Sequence, residues 1–145
     1  MTTKSMKPGE SPGQIIPACG PVESTRRRVF DLEDRLLEFA SDIIDISENL
    51  PDTRSGRHVA GQLLRSGTSP YSNHGEAESA ESPEDFIHKL KVCLKELRET
   101  RRWLRLIDRN RWSQINASLQ VSIAESHELI RIFVASIRTA KRNRG

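Results

Sequence analysis

Cysteine, aromatic residues and long apolar runs are all scarce in this chain, and each scarcity removes a class of function. Two cysteines, Cys19 and Cys93, occur in 145 residues, far apart and outside any Cys-x-x-Cys pair. A disulfide scaffold and a cysteine zinc site are thereby excluded, and a reducing compartment fits. Aromatics make up 5% of the residues, too few to line a large cofactor pocket. No apolar run approaches the roughly 18–20 residues that span a bilayer. The opening Met1-Thr-Thr-Lys-Ser-Met-Lys-Pro-Gly lacks the apolar stretch of a signal peptide. A cytoplasmic protein with no membrane contact is expected. Gly-x-Ser-x-Gly elbows, phosphate-cradling glycine loops and zinc signatures are missing too, and nothing has the period of a strand.

What the chain does have is helical period. The size is that of one domain, and charged residues reach 30% against 35% apolar, the balance of a set of amphipathic helices. Residues 1–28, with Pro8, Pro12, Pro17 and Pro21 among several glycines, form an expected flexible tail; residues 29–145 form the domain. Leu32, Leu36, Phe39, Ile43, Ile46 and Leu50 step by four and three along a helix from Val29 that Pro51 stops. A second helix is expected from near Ser55, with Pro70 kinking or breaking it. Ser82-Pro83-Glu84-Asp85 combines an N-cap, a first-turn proline and acids suited to the positive helix end. The third helix follows, its seam Phe86, Leu90, Cys93, Leu97, Thr100, Leu104 and Ile107. The fourth runs from about Ser113 to Ala140 with two apolar stripes, Leu119, Leu129 and Phe133 on one, Ile123, Ile130 and Ile137 on the other. That surplus over one core suggests a subunit interface. Four such helices joined by short links predict an all-α, up-down-up-down four-helix bundle.

The net charge of +3 is unevenly spread. Residues 29–50 carry one base, Arg35, against seven acids, whereas residues 83–111 carry nine bases against five acids. Arg101, Arg102 and Arg105 on the third helix, and Arg138, Lys141 and Arg142 at the end of the fourth, are the candidates for nucleic-acid phosphates. Solvated helix surface with cations at a helix C-terminus explains the same pattern, and an acidic first helix meeting basic helices of a neighbouring subunit is a third explanation.

Catalytic constellations are weak. Of His58, His74, His88 and His127, only His88 stands in an acid-x-x-His spacing, with Asp85, and it stands alone, so a carboxylate-bridged di-metal site is not expected. Cys93 falls in an apolar seam and reads as a small core residue. No enzyme activity, metal or cofactor is expected. Asn73, His74 and Glu76 on the second helix and Glu96, Glu99 and Thr100 on the third read as an interhelical polar cluster that fixes register. The seam position of Thr100 requires a partner, either the carbonyl one turn back or a side chain such as Asn73. Trp103 and Trp112 are expected to cap the core near the helix end.

Three stretches carry a family pattern: Leu63-Leu-Arg-Ser-Gly-Thr-Ser-Pro-Tyr-Ser-Asn-His-Gly-Glu-Ala, Asp85-Phe-Ile-His-Lys-Leu-Lys-Val-Cys-Leu-Lys-Glu-Leu-Arg-Glu-Thr-Arg-Arg-Trp-Leu, and Glu128-Leu-Ile-Arg-Ile-Phe-Val-Ala-Ser-Ile-Arg-Thr-Ala. Over about residues 29–143 the chain resembles the bacterial four helix bundle protein family, first noticed as proteins encoded in intervening sequences of large-subunit ribosomal RNA genes. The resemblance implies an up-down bundle that assembles as a homopentameric ring, with no established activity. The accessory variability determinant of diversity-generating retroelements is similar in fold and forms a basic pentameric barrel that binds a reverse transcriptase and nucleic acid. The family's recurring Asn, Glu, Glu and Thr correspond to Asn73, Glu76, Glu99 and Thr100. The chain departs from the pattern at His74 and Gly75, and its proline stands at Pro70 where the family's falls at Tyr71. The expectation is a non-enzymatic, self-assembling bundle that contacts RNA, DNA or a nucleic-acid enzyme through its basic surfaces. A purely structural or adaptor oligomer is the alternative.

Overall fold

The computed structural model describes residues 20–114 and 116–144, with residues 20–31 as backbone alone. They form four helices, α1 (Gly20–Glu48), α2 (Arg54–Glu78), α3 (Pro83–Arg109) and α4 (Asn116–Arg144), and no strand occurs among the described residues. None of these helices is long and apolar enough to cross a membrane.

The chain divides into two units, residues 1–34 and 35–145. Residues 1–19 of the expected tail lie outside the described residues. From residue 20 onward the first unit is helical, so α1 starts at Gly20 where Val29 was expected. Pro21 suits a first turn, because the amide hydrogen it lacks has no helical partner there and its φ is already set.

In the second unit each helix end has a local cause. Thr53 caps α2, its Oγ1 accepting from the Gly56 amide at 3.0 Å. Ser82 caps α3 as expected, accepting from the Asp85 amide at 3.0 Å, with Pro83, Glu84 and Asp85 in the first turn. The chain leaves α3 through Asn110 and Arg111, whose φ of 56° is left-handed and costly for a non-glycine residue.

Cross-helix contacts fix the topology. Ser66 meets Thr100, Pro70 meets Cys93 and Glu76 meets Lys89, so residue numbers rise on α2 as they fall on α3. Asp108 meets Gln120 at the α3–α4 turn, Ile43 lies against Gly67, and Arg35 grips Glu125 through two bonds of 2.8 Å. α2 and α3 are therefore antiparallel, as are α3 and α4, whose far ends meet where Phe86 borders one groove with Ala140 and Asn143; the five-residue link from α1 to α2 makes those two antiparallel neighbours as well, and Arg35 of α1 reaches the last helix. The forked Arg35–Glu125 pair matches two guanidinium donors to two carboxylate oxygens, and it employs the one base of the acidic stretch 29–50.

The core follows the sequence period. Leu36, Phe39, Ile43 and Ile46 on α1, Leu63 on α2, Leu97, Leu104 and Ile107 on α3, and Leu119, Leu129 and Phe133 on α4 are all buried. Burying each such side chain is worth roughly 1.5–3 kcal/mol. Three expectations change. Phe86 is exposed and Ile87 holds the first seam position of α3, because three helical steps, not four, lead back from Leu90 toward α4. On α4 the second stripe divides: Ile137 joins the core while Ile123 and Ile130 stay half-buried, with Ser122 and Ser126 filling the seam between Leu119 and Leu129. Finally, α2 runs unbroken through Pro70. Pro70 is itself buried, and hydroxyl and amide side chains bond the backbone around it: Thr68 to the Leu64 carbonyl at 2.8 Å, and Asn73 to the Ser69 carbonyl at 3.1 Å.

Candidate functional site

The polar residues of α2 and α3 do come to one interface, but as three separate sets. Innermost, the Thr100 hydroxyl lies 2.7 Å from the Glu96 carbonyl and 3.0 Å from Ser66 Oγ, both residues fully buried. Ser66, not Asn73, is thus the cross-helix partner; Asn73 turns back on its own helix, 2.7 Å from Ser69 Oγ. At the rim, Arg65 bonds Glu96 at 3.1 Å and also Glu99, which accepts the Trp103 indole N–H at 3.1 Å. Those donors, the indole first and then Arg65, hold the Glu99 carboxyl below its usual range. The edge of His58 packs on Trp103, so this ring caps the α2–α3 rim. Nearer the other end, Lys89 bonds Glu76 at 2.7 Å. These contacts hold register.

Nothing here activates a nucleophile. Burial pushes the Cys93 thiol up to about 12, and its Sγ donates to the Pro70 carbonyl at 3.6 Å, so it is the small core residue expected. Among the described residues, no three histidine, cysteine or carboxylate side chains gather to hold a metal ion.

The six basic candidates fall into two groups that do not meet. Arg102 and Arg105 are exposed and, with Arg109, edge a groove of about 800 Å³ on α3 and the start of α4, with Trp103, Leu106 and Ile123 among its walls. Arg101 is half-buried, and its Nε is enclosed with no hydrogen-bond partner among the described residues. Arg138, Lys141 and Arg142 are exposed at the far end of α4, where Ala140, Asn143 and Arg144 border a second groove beside Pro83 and Phe86. Asp108 of α3 meets Gln120 near the start of α4, so antiparallel helices rising about 1.5 Å per residue separate the groups by roughly 20–25 Å.

A third surface was not foreseen. Leu37, Ile44, Leu64 and Tyr71 are 37–49% exposed. Arg35 faces α4 through Glu125, and at about 100° per residue Leu37 and Ile44 project from the opposite side of α1, toward α2. Ser66 faces α3, and by the same rotation Leu64 and Tyr71 project toward α1. These exposed side chains flank the α1–α2 junction, where Ile43 lies against Gly67, and form an apolar seam there. The signal was in the sequence: each pair is seven residues apart, beside the core stripe.

The model of one protein family, described as 23S rRNA-intervening sequence protein, matches residues 31–134. The chain belongs to this family. A solved member of the S23 ribosomal protein family from Bacteroides thetaiotaomicron, itself of unknown function, is 35% identical, with a TM-score of 0.67 over 73% of this chain and 97% of that one. Comparison with curated proteins gives no match. Within this family member, the matched residues include the α3 groove and the α1–α2 seam, and end before Arg138.

Proposed function

We propose that this protein is a non-enzymatic helical bundle that assembles with copies of itself and contacts nucleic-acid phosphates through the basic end of α4. One observation carries the phosphate reading. From Leu129 to Arg144, α4 holds Arg131, Arg138, Lys141, Arg142 and Arg144 and no acid, and its last four bases are exposed. The α3 group has a different character, since Glu99 and Asp108 share its groove and the walls are partly apolar. The family's description, which links it to intervening sequences of 23S rRNA, favours RNA over DNA as the first ligand to try. Assembly is supported by the α1–α2 seam, because four large apolar side chains on one exposed face mark an interaction surface; a ring of five is the expectation from the family resemblance.

Fluorescence anisotropy with a labelled single-stranded RNA and a duplex DNA, titrated at several salt concentrations, tests the phosphate reading. Four phosphate contacts per copy give a log–log slope of about −3 to −4. Replacing Arg138, Lys141, Arg142 and Arg144 together by Gln abolishes binding and leaves the helical circular dichroism intact. Binding that ignores salt, or survives that replacement, refutes it. No binding at low salt leaves a structural or adaptor oligomer.

A further inference from the structure

Where α3 begins and α4 stops, Phe86 borders a groove of about 430 Å³. Phe39 and Phe133 are 2% and 0% exposed, whereas Phe86 is 36% exposed, its place in the seam taken by Ile87. Pro83 and Ala140 extend the apolar wall, and Glu78, Asn143 and Arg144 add polar groups to the border. Arg144 is also the last of the exposed bases in the acid-free stretch of α4, so one residue belongs both to the groove and to the phosphate-binding end. Lys141, exposed as well, stands one turn before it. Proteins that hold single strands combine a basic track along the backbone with aromatic side chains on which bases stack, and any base serves because each has a π-face.

We propose that this groove takes one unstacked base of a single-stranded nucleic acid, the base lying on Phe86 while Arg144 and Lys141 hold the flanking phosphates. This rests on the phosphate reading above and names the form of its ligand. A duplex keeps its base faces stacked on one another and offers the ring nothing; a single strand turns one out. Glu78 repels a phosphate but suits a base edge, since its carboxylate accepts from an exocyclic amino group, and the Asn143 amide both donates and accepts there. Exposed Glu81 and Glu84, next to Pro83 in the chain, repel the second row of phosphates that a duplex brings, which again favours one strand.

Fluorescence anisotropy with a short labelled single-stranded RNA of mixed sequence, and with the same strand annealed to its complement, tests this. Wild type binds the single strand more tightly than the duplex. Phe86→Ala weakens the single strand by about 5- to 100-fold and leaves the duplex unchanged. It also leaves the slope of log affinity against log salt unchanged, because no phosphate contact is lost. Phe86→Trp keeps the affinity, and its emission falls when the strand is added, beyond any change that Trp103 and Trp112 give in wild type. Circular dichroism checks that each variant is helical, and the Trp variant carries the test alone if Phe86→Ala does not fold. A wild type that prefers the duplex, a Phe86→Ala protein that binds the single strand as wild type does or loses both forms equally, or a Phe86→Trp emission that ignores the strand overturns the inference and spares the phosphate reading. A wild type that binds neither form at low salt overturns both.

Discussion

Replacing Gly67 by Ala has a sign that helix propensity alone gets wrong. In a helix interior Ala is favoured over Gly by roughly 0.8–1.0 kcal/mol, and Gly67 is mid-helix in α2. A Cβ built there, however, falls 2.6 Å from Cγ2 and 2.8 Å from Cγ1 of Ile43, well inside the ~3.5–4.0 Å of ordinary carbon contact. Ile43 has 0% exposure, so it has no solvent to swing into, and the helices must part. Overpacking of this kind costs about 1–3 kcal/mol, which leaves Gly67→Ala destabilised by up to ~2 kcal/mol after the propensity gain. Gly61, on the same helix, has nothing within 4 Å of its Cβ position, and Gly61→Ala collects the gain alone. At about 3–5 °C per kcal/mol for a domain between the 60–100- and 150–250-residue ranges, Gly67→Ala melts as much as ~10 °C below wild type and Gly61→Ala about 4 °C above it. Thermal and urea unfolding at one protein concentration measure both. Adding Ile43→Ala to Gly67→Ala removes the clashing atoms, so the double variant loses less than the sum of the singles. A Gly67→Ala protein that melts above wild type refutes the close α1–α2 approach at Ile43.

Thr100→Val keeps the shape but removes the hydroxyl that joins Ser66 to the Glu96 carbonyl, at a cost of about 1–2 kcal/mol. Combining it with Ser66→Ala recovers part of that loss, because neither partner is then left unsatisfied; urea unfolding of the three variants checks this, and a double variant as poor as the sum counts against the bond. Asp42 has its carboxyl raised by burial first and then by Glu38, Asp45 and Glu125. A carboxyl whose folded value is raised is penalised when ionised, so its cost to stability is present above that value and vanishes as the pH falls below the unfolded one. Asp42→Asn therefore melts above wild type at pH 7, and calorimetry sees the difference shrink toward pH 4; equal melting points at pH 7 refute the account.

The helices and most core positions were legible because helical period is local: the residue four steps on sits on the same face whatever lies opposite. Ser82 was readable as a cap for the same reason, since its acceptor serves an amide three residues away. Where a residue's role depended on a neighbour far along the chain, local reading failed. It gave Thr100 a need for a partner but not Ser66 as that partner, and of the kink or break expected at Pro70 the break does not occur, because the ring is buried and side chains bond the nearby backbone. The basic candidates were visible as charges, yet only the antiparallel packing of α3 on α4 separates them to opposite ends.

The sequence by itself determined an all-helical chain of this family, most of its seams, the Ser82 cap and the imbalance of charge between the first helix and the third, because periodicity, capping and charge are properties of short stretches. Only the tertiary structure decided that Leu37 and Ile44 share a face with Leu64 and Tyr71, and that Arg102 and Arg105 border an apolar groove. Which side of a helix stays open depends on where its neighbours pack, and that is set by contacts between residues distant in sequence.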